Sequence, residues 1–269
     1  MIAIAHFIAI SLYLGAAALA AVPFARPVKA PVRGVALALG CGIAFHLTAL
    51  LTFGVRAGAV PMTGLGPALS FAGLVLAVTL LVAEWLARDV SLTVVVAPLA
   101  ALPTIVANAF GLETGRATAD GARGFWLLSH IGLSFIGIAA FATAGAAGAM
   151  YLLQRHELKS RRFHALFRFF PPLATLDRVN HLAAIGAWLG LTLGVILAAS
   201  YSVAYQQLNL PQVLWGGAVW VAASGIALGR VTRGWQAHRA AKYSSAALIV
   251  VLLLYVAMRV ADPAVGQFL

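Results

Sequence analysis

Three features of this sequence predict an all-α, polytopic membrane protein of eight transmembrane helices. The 269 residues are 62% hydrophobic and 9% charged, with a mean hydropathy of +0.97, which is not the composition of a soluble domain. The apolar residues gather in eight stretches, each close to the roughly 17–25 residues that a helix needs to cross a bilayer. The basic residues fall mostly in alternate connections, the asymmetry that orients a membrane protein.

The first stretch covers about residues 2–22. Ala18-Leu19-Ala20 resembles a signal-peptidase site, but no lysine or arginine precedes it, so it is expected to be a retained helix. The second and third stretches cover about 34–54 and 64–86. The fourth, about 91–110, contains Pro98 and Pro103 and is expected to be kinked, which neighbouring helices tolerate in lipid. In the fifth, about 125–153, Gly137, Ala140, Ala144 and Gly148 recur at helical spacing; in the sixth, about 180–204, Gly186, Gly190 and Gly194 do the same. Such stripes let helix backbones approach closely, and they would also make room for a flat ligand. The seventh and eighth cover about 212–230 and 243–260. With no soluble segment and no repeat, residues 1–269 read as a single membrane domain. Two connections are long, 111–124 and 154–179. In the second, Arg161 to Pro172 alternates arginine with phenylalanine, the pattern of a segment lying among lipid headgroups; docking of a cytosolic partner is the alternative.

The net charge of +11 is explained by orientation rather than by nucleic acid. With the N-terminus outward, the inner connections hold Arg26, Lys29, Arg33, Arg88, Arg155, Lys159, Arg161, Arg162, Arg168, Arg178, Arg230, Arg233, Arg239 and Lys242. Arg56, Arg116, Arg123 and Arg259 are left outside. Both termini are therefore expected on the outer, periplasmic side of a bacterial inner membrane, with the inner charges meeting anionic lipid. The single Cys41 excludes disulfide frameworks, CxxC redox motifs and thiolate metal clusters within the chain.

Histidines carry the functional signal, because an imidazole in lipid is costly and marks a ligand or a relay. His46 lies eight residues before the outer end of the second stretch, roughly 12 Å down, and His130 five residues into the fifth, roughly 8 Å down. Two imidazoles at one level are what bis-histidine haem ligation requires, so His46 and His130 are the candidate iron ligands for a b-type haem. The alternative is a pair of interior histidines hydrogen-bonded to carbonyls or hydroxyls. Trp126, His130 and Ser134 share one helix face. His181, at the inner end of the sixth stretch beside Asp177, Arg178 and Asn180, belongs to a second, inner site if it binds anything. His6 is a further candidate near the outer end of the first stretch; His156, His164 and His238 lie among arginines and read as surface residues.

Among the acids Glu84, Asp89, Glu113, Asp120, Glu157, Asp177 and Asp262, none lies deep in a stretch, and Glu84 is expected to pair with Arg88 at i,i+4. The missing midplane carboxylate argues against an ion-coupled transporter. No single helix carries two histidines a dozen residues apart, and there is no HExxH, phosphate loop or nucleophile with a paired base.

The stretch Leu128-Ser129-His130-Ile131-Gly132-Leu133-Ser134 is followed by Pro171-Pro172-Leu173-Ala174-Thr175-Leu176-Asp177-Arg178, then by His181 and Gly190-Leu191-Thr192-Leu193-Gly194. Together with the segment from Gly229-Arg230 to Ala241 and with Phe45-His46-Leu47, this order resembles the cytochrome c assembly membrane family, in particular its compact HemX- and YpjD-like branch. The resemblance implies an eight-helix, haem-handling protein serving cytochrome c maturation or the regulation of tetrapyrrole synthesis. His130 then matches the outer haem histidine of the CcsA-like synthases, and His46 and His181 match histidines of the compact branch with an inferred role in ligation. Implied partners are haem, the lipid membrane, other cytochrome c assembly components or a tetrapyrrole-synthesis enzyme. The tryptophan-rich loop of the synthases is replaced here by Tyr201 to Gln212, which has no tryptophan, so haem binding without full synthase activity is the expectation. Two other classes stay open: an accessory protein for divalent-metal transport, and a structural subunit of a larger membrane complex.

Overall fold

The computed structural model describes residues 1–26, 28–58, 62, 64–111, 121–161, 170–206 and 210–261. Among them the elements are helices: α1 (Ile2–Ala20), the single turn α2 (Val22–Ala25), α3 (Val32–Ala57), α4 (Leu65–Ala87), α5 (Thr93–Phe110), α6 (Gly121–Ser160), α7 (Leu173–Tyr205), α8 (Leu210–Arg233) and α9 (Ala237–Ala261). Among the described residues seven stretches are long and apolar enough to cross a membrane, the first made of α1 with α2, and α5 supplies a shorter apolar helix, so each of the eight expected stretches is helical. The chain is a multi-pass membrane protein. α5 stays continuous through Pro98 and Pro103, and the long connections shrink because α6 runs from 121 to 160 and α7 begins at Leu173. The Arg161–Pro172 segment lies outside the described residues from 162 to 169.

Successive helices run antiparallel, as residue pairs show. Tyr13 meets His46 and Leu19 approaches Gly34 between α1 and α3. Glu84 meets Thr93 and Gly73 meets Thr104 between α4 and α5. Ser134 lies against Gly194, and Ala140 against Gly186, between α6 and α7. Arg230 bridges to Asp177 between α8 and α7. The helix ends at Ala25, Val32, Ala87, Thr93, Ser160, Leu173, Arg233 and Ala237 therefore share one end of the bundle, here called the basic end.

Two apolar clusters form the interior. One joins α1, α3, α4 and α5 to the basic half of α6 and α7; the other joins the middle of α6 and α7 to α8 and α9. Both are rich in alanine, so helices approach closely and dispersion contacts replace the hydrophobic drive that lipid cannot supply. Large apolar side chains face outward instead: Val55 is 86% exposed, Val260 78% and Trp85 77%, a surface that hydrocarbon covers and water would not.

The glycine stripes are packing devices. A Cβ on Gly137 would stand 2.8 Å from the Leu191 backbone nitrogen, and one on Gly190 would stand 3.0 Å from the Gly137 Cα. A Cβ on Gly148 would meet Ser244 Oγ at 2.6 Å. No space for a flat ligand remains over these positions. Gly186 differs, with Ala140 Cβ at 3.8 Å, and it lines a groove of about 170 Å³ with Thr79, Ala83, Thr143 and Arg178.

The expected Glu84–Arg88 pair is not made. Arg88 ends α4 in the left-handed region at φ 55°, which takes its side chain off the Glu84 face of the helix. Glu84, 5% exposed, instead accepts from the Thr93 hydroxyl and from the Thr93 backbone N–H at 3.1 Å, which it shares with the Val90 carbonyl at 3.2 Å, capping the start of α5. Glu84→Ala should lower stability by about 1–2 kcal/mol, whereas Glu84→Gln, which keeps an acceptor, should recover most of it. Thermal unfolding of the two variants in one detergent measures the difference.

Candidate functional site

The sequence places four imidazoles along the apolar helices, and the structure sorts them by the state of their ring nitrogens. His46 lies on the stripe Leu39, Gly42, His46, Leu50 and Phe53, the buried face of α3. It is fully buried. Its Nε2 lies 2.8 Å from Ser70 Oγ on α4, and its Nδ1 lies 3.1 Å from the hydroxyl of Tyr13 on α1. His6, also fully buried, reaches the same Ser70 Oγ through Nε2 at 2.6 Å, and its Nδ1 lies 3.1 Å from the Ile2 carbonyl oxygen. The His6 and His46 rings stand edge to face with centroids 5.1 Å apart.

A carbonyl can only accept, so His6 carries its proton on Nδ1 and presents a bare Nε2. Ser70 then donates its O–H to His6 Nε2, and His46 donates Nε2–H to Ser70 Oγ. Tyr13 donates in turn to His46 Nδ1. Every N–H and O–H donor and each bare imidazole nitrogen of the four groups is used once, and a polar cluster in lipid reaches low energy only when its donors are paired in this way. Tyr13 fits because Gly42 has no side chain: a Cβ there would stand 2.7 Å from the Tyr13 ring. His6 was a lesser candidate in the sequence, and Ser70 and Tyr13 were not candidates. The signal was present in the spacing, since His6, Tyr13 and Ala20 recur every seven residues on one buried face.

His130 is placed differently. Trp126, His130 and Ser134 all face α7, as their spacing predicts: Trp126 meets Tyr205 with ring centroids 6.3 Å apart, and Ser134 packs on Gly194. His130 Nδ1–H donates to the Gly194 carbonyl at 2.8 Å. Its Nε2 has no hydrogen-bond partner among the described residues. Just along α6, Phe125, Trp126 and Ser129 line a groove with Leu197 of about 290 Å³, and the Trp126 Nε1 is buried without a partner among the described residues. Arg123, two residues before Phe125 on α6, donates Nε to the Tyr201 hydroxyl at 2.9 Å and lies 4.9 Å over the Tyr205 ring, a cation–π contact.

His181 is half-buried, and its Nδ1 is enclosed without a partner among the described residues. His130 is level with Gly194, thirteen residues further along α7, so the two histidines stand roughly 20 Å apart along the helix axis. That separation is too large for the two to bind one iron. No hydrogen bond or ring contact joins His46 to His130: the partners of His46 come from α1 and α4, those of His130 from α7. Among the described residues no three histidine, cysteine or acidic side chains gather as a metal site.

The chain was compared with known proteins. Residues 62–263 match the family model described as cytochrome C assembly protein. A 28.8 kDa protein of Azospirillum brasilense, described as uncharacterized and from a nifR3-like 5' region, is 31% identical over 140 residues, which is 50% of this chain and 51% of that one. Protein HemX of Brevibacillus brevis is 38% identical over 74 residues, 26% of this chain and 27% of its own length. The matches thus span about half or less of these relatives. No solved structure matches. The family match covers α4 to α9, including His130, His181 and the α6–α7 seam, and this eight-helix membrane protein belongs to the cytochrome C assembly protein family.

Proposed function

We propose that this protein binds haem noncovalently at the end of α6 and α7 opposite the basic end, and that it handles or senses haem there without full synthase activity. One observation carries the reading: His130 is built as a metal-ligating histidine is built. A backbone carbonyl holds its Nδ1–H, fixing the tautomer and the ring and leaving Nε2 as a free lone pair. The adjoining groove of Phe125, Trp126 and Leu197 supplies an apolar wall, and Arg123 supplies a cation suited to a propionate.

The residues predicted as ligands fit a haem unequally. His130 fits, through Nε2. His181, with a buried and unpartnered Nδ1 among the described residues, fits as a ligand in a separate inner site. His46 does not fit as the iron's second ligand while Tyr13 and Ser70 hold both its nitrogens, and the space at its Nε2 is that of one hydroxyl. Bound haem would supply the redox chemistry and the macrocycle; the chain supplies the imidazole, its orientation through Gly194 and the exclusion of water. In this reading the outer, periplasmic face of a bacterial inner membrane is the face that receives haem, as the basic end on the inner side predicts. Its partners would be cytochrome c assembly components or a tetrapyrrole-synthesis enzyme.

The test is an absorbance spectrum of detergent-purified protein, oxidised and dithionite-reduced, after haem supplementation. The wild type should show a Soret band and a reduced α band. His130→Ala should lose at least tenfold in haem occupancy, while His46→Ala should retain most of it. Equal occupancy in wild type and His130→Ala would sink this site.

A further inference from the structure

We infer that His6, His46 and Ser70 form a buried site for a bare, soft, monovalent transition-metal ion, copper(I), separate from the haem site at His130. Two imidazole nitrogens from different helices converge on one point, the Ser70 oxygen, at 2.6 and 2.8 Å. Two imidazoles bound to one trigonal or tetrahedral ion by bonds of about 2.0 Å hold their ring centroids roughly 5–5.5 Å apart; here they stand 5.1 Å apart. The positions behind the ligands are also those of a metal site. Each outer Nδ1 has an oxygen to hold it, the Ile2 carbonyl for His6 and the Tyr13 hydroxyl for His46.

Loading requires no net loss of protons. His46 moves its proton from Nε2 to Nδ1, where the Tyr13 oxygen accepts it as the phenol rotates. The Ser70 hydroxyl turns its hydrogen away and offers a lone pair, so the Ser70 and Tyr13 O–H groups lose their imidazole acceptors, a cost that the metal–nitrogen bonds have to exceed. Both Nε2 atoms are then bare, and His6 needs no change.

Charge and coordination select the ion. All three ligands are neutral and fully buried, so the ion's whole charge stays in a low-dielectric interior. The cost of burial rises with the square of that charge, so a divalent ion costs roughly four times as much as a monovalent one. Hard monovalent and divalent cations need oxygen cages, and structural zinc needs four ligands. Imidazole suits copper, and three neutral donors suffice for its monovalent form. A haem is excluded from this position by the fit of Tyr13 against Gly42, which leaves no gap between α1 and α3 for a macrocycle.

The experiment uses full-length protein in detergent, under argon, with copper(I) maintained by ascorbate and competed against bicinchoninate. The expected result is one copper per chain, with an affinity at least tenfold weaker in His46→Ala and in His6→Gln. The glutamine can keep a hydrogen bond to Ser70 and so preserve packing while removing one nitrogen ligand. His156→Ala should bind as the wild type does. X-ray absorption of the loaded protein should show two imidazole nitrogens and one oxygen in the first coordination sphere. No copper retained by folded wild type, retention unaffected in His6→Gln, or displacement of copper by equimolar zinc(II) would each overturn the proposal. So would haem loss in His6→Gln with no copper bound. The haem site is read through His130 and the Soret band, so either reading can fail without the other.

Discussion

Gly137→Leu is expected to separate α6 from α7 and, with them, to abolish the proposed haem binding. A Cβ at this position already stands 2.8 Å from the Leu191 backbone nitrogen and 2.7 Å from the Leu191 Cγ. The side chain could move, but the backbone could not without shifting α7. Gly190 lies directly opposite, with Gly137 Cα 3.0 Å from its own notional Cβ, so the seam has no slack on either side. Overpacking of a tight interface costs about 1–3 kcal/mol and more where backbone must move; a loss of at least about 3 kcal/mol is expected here. The consequence reaches the proposed haem site because His130, two turns from Gly137 on the same seam, takes its orientation from the Gly194 carbonyl. Gly132→Ala provides the contrast: nothing lies within 4 Å of its notional Cβ, and removing a helix-interior glycine should raise stability by up to about 1 kcal/mol. Thermal unfolding together with Soret absorbance, measured on both variants, checks the pair. Similar behaviour in the two would mean that α6 and α7 do not meet through Gly137.

The second large effect is expected from a change of one atom. Asn180 is 1% exposed, and its amide Nδ2 donates to the Ala144 carbonyl on α6 and to Ser244 Oγ on α9, both at 2.7 Å. One side chain thereby ties three helices together. Asn180→Asp keeps the shape and replaces the donor with an acceptor. Oxygen then faces the Ala144 carbonyl oxygen at hydrogen-bond distance, at a position that is 1% exposed. Leaving buried polar groups unpaired, with a charge among them, should cost at least about 3 kcal/mol. Asn180→Ser, which retains a hydroxyl donor, should cost less. Circular dichroism melts in matched detergent measure both; an Asn180→Asp protein as stable as wild type would show that α6, α7 and α9 are not held through this residue.

Much of the architecture was legible because lipid imposes simple rules. A backbone in hydrocarbon must satisfy its own hydrogen bonds, so an apolar run of twenty residues has little choice but helix. The runs near 34–54, 64–86 and 212–230 accordingly appear as α3, α4 and α8 with ends moved by a few residues. Which residues share a face was legible as well: Trp126, His130 and Ser134 follow from 3.6-residue periodicity and do face α7. The pairing of Glu84 was not. Its spacing to Arg88 assumed that the helix continues, and the left-handed turn at Arg88 passed the carboxylate to Thr93 instead.

The sequence by itself determined the number of membrane stretches, the membrane setting, the small-residue seam between α6 and α7 and which histidines lie along the apolar helices. All of these follow from local composition and period. Only the tertiary structure decided which imidazoles meet. Depth along a helix is a local property, and it made His46 and His130 look like partners. Lateral position depends on the order in which helices pack, which no single stretch encodes. Packing α1 against α3 and α4 brought His6, a lesser candidate by sequence, to Ser70 and His46. Packing α6 against α7 gave His130 a carbonyl from a glycine sixty-four residues away.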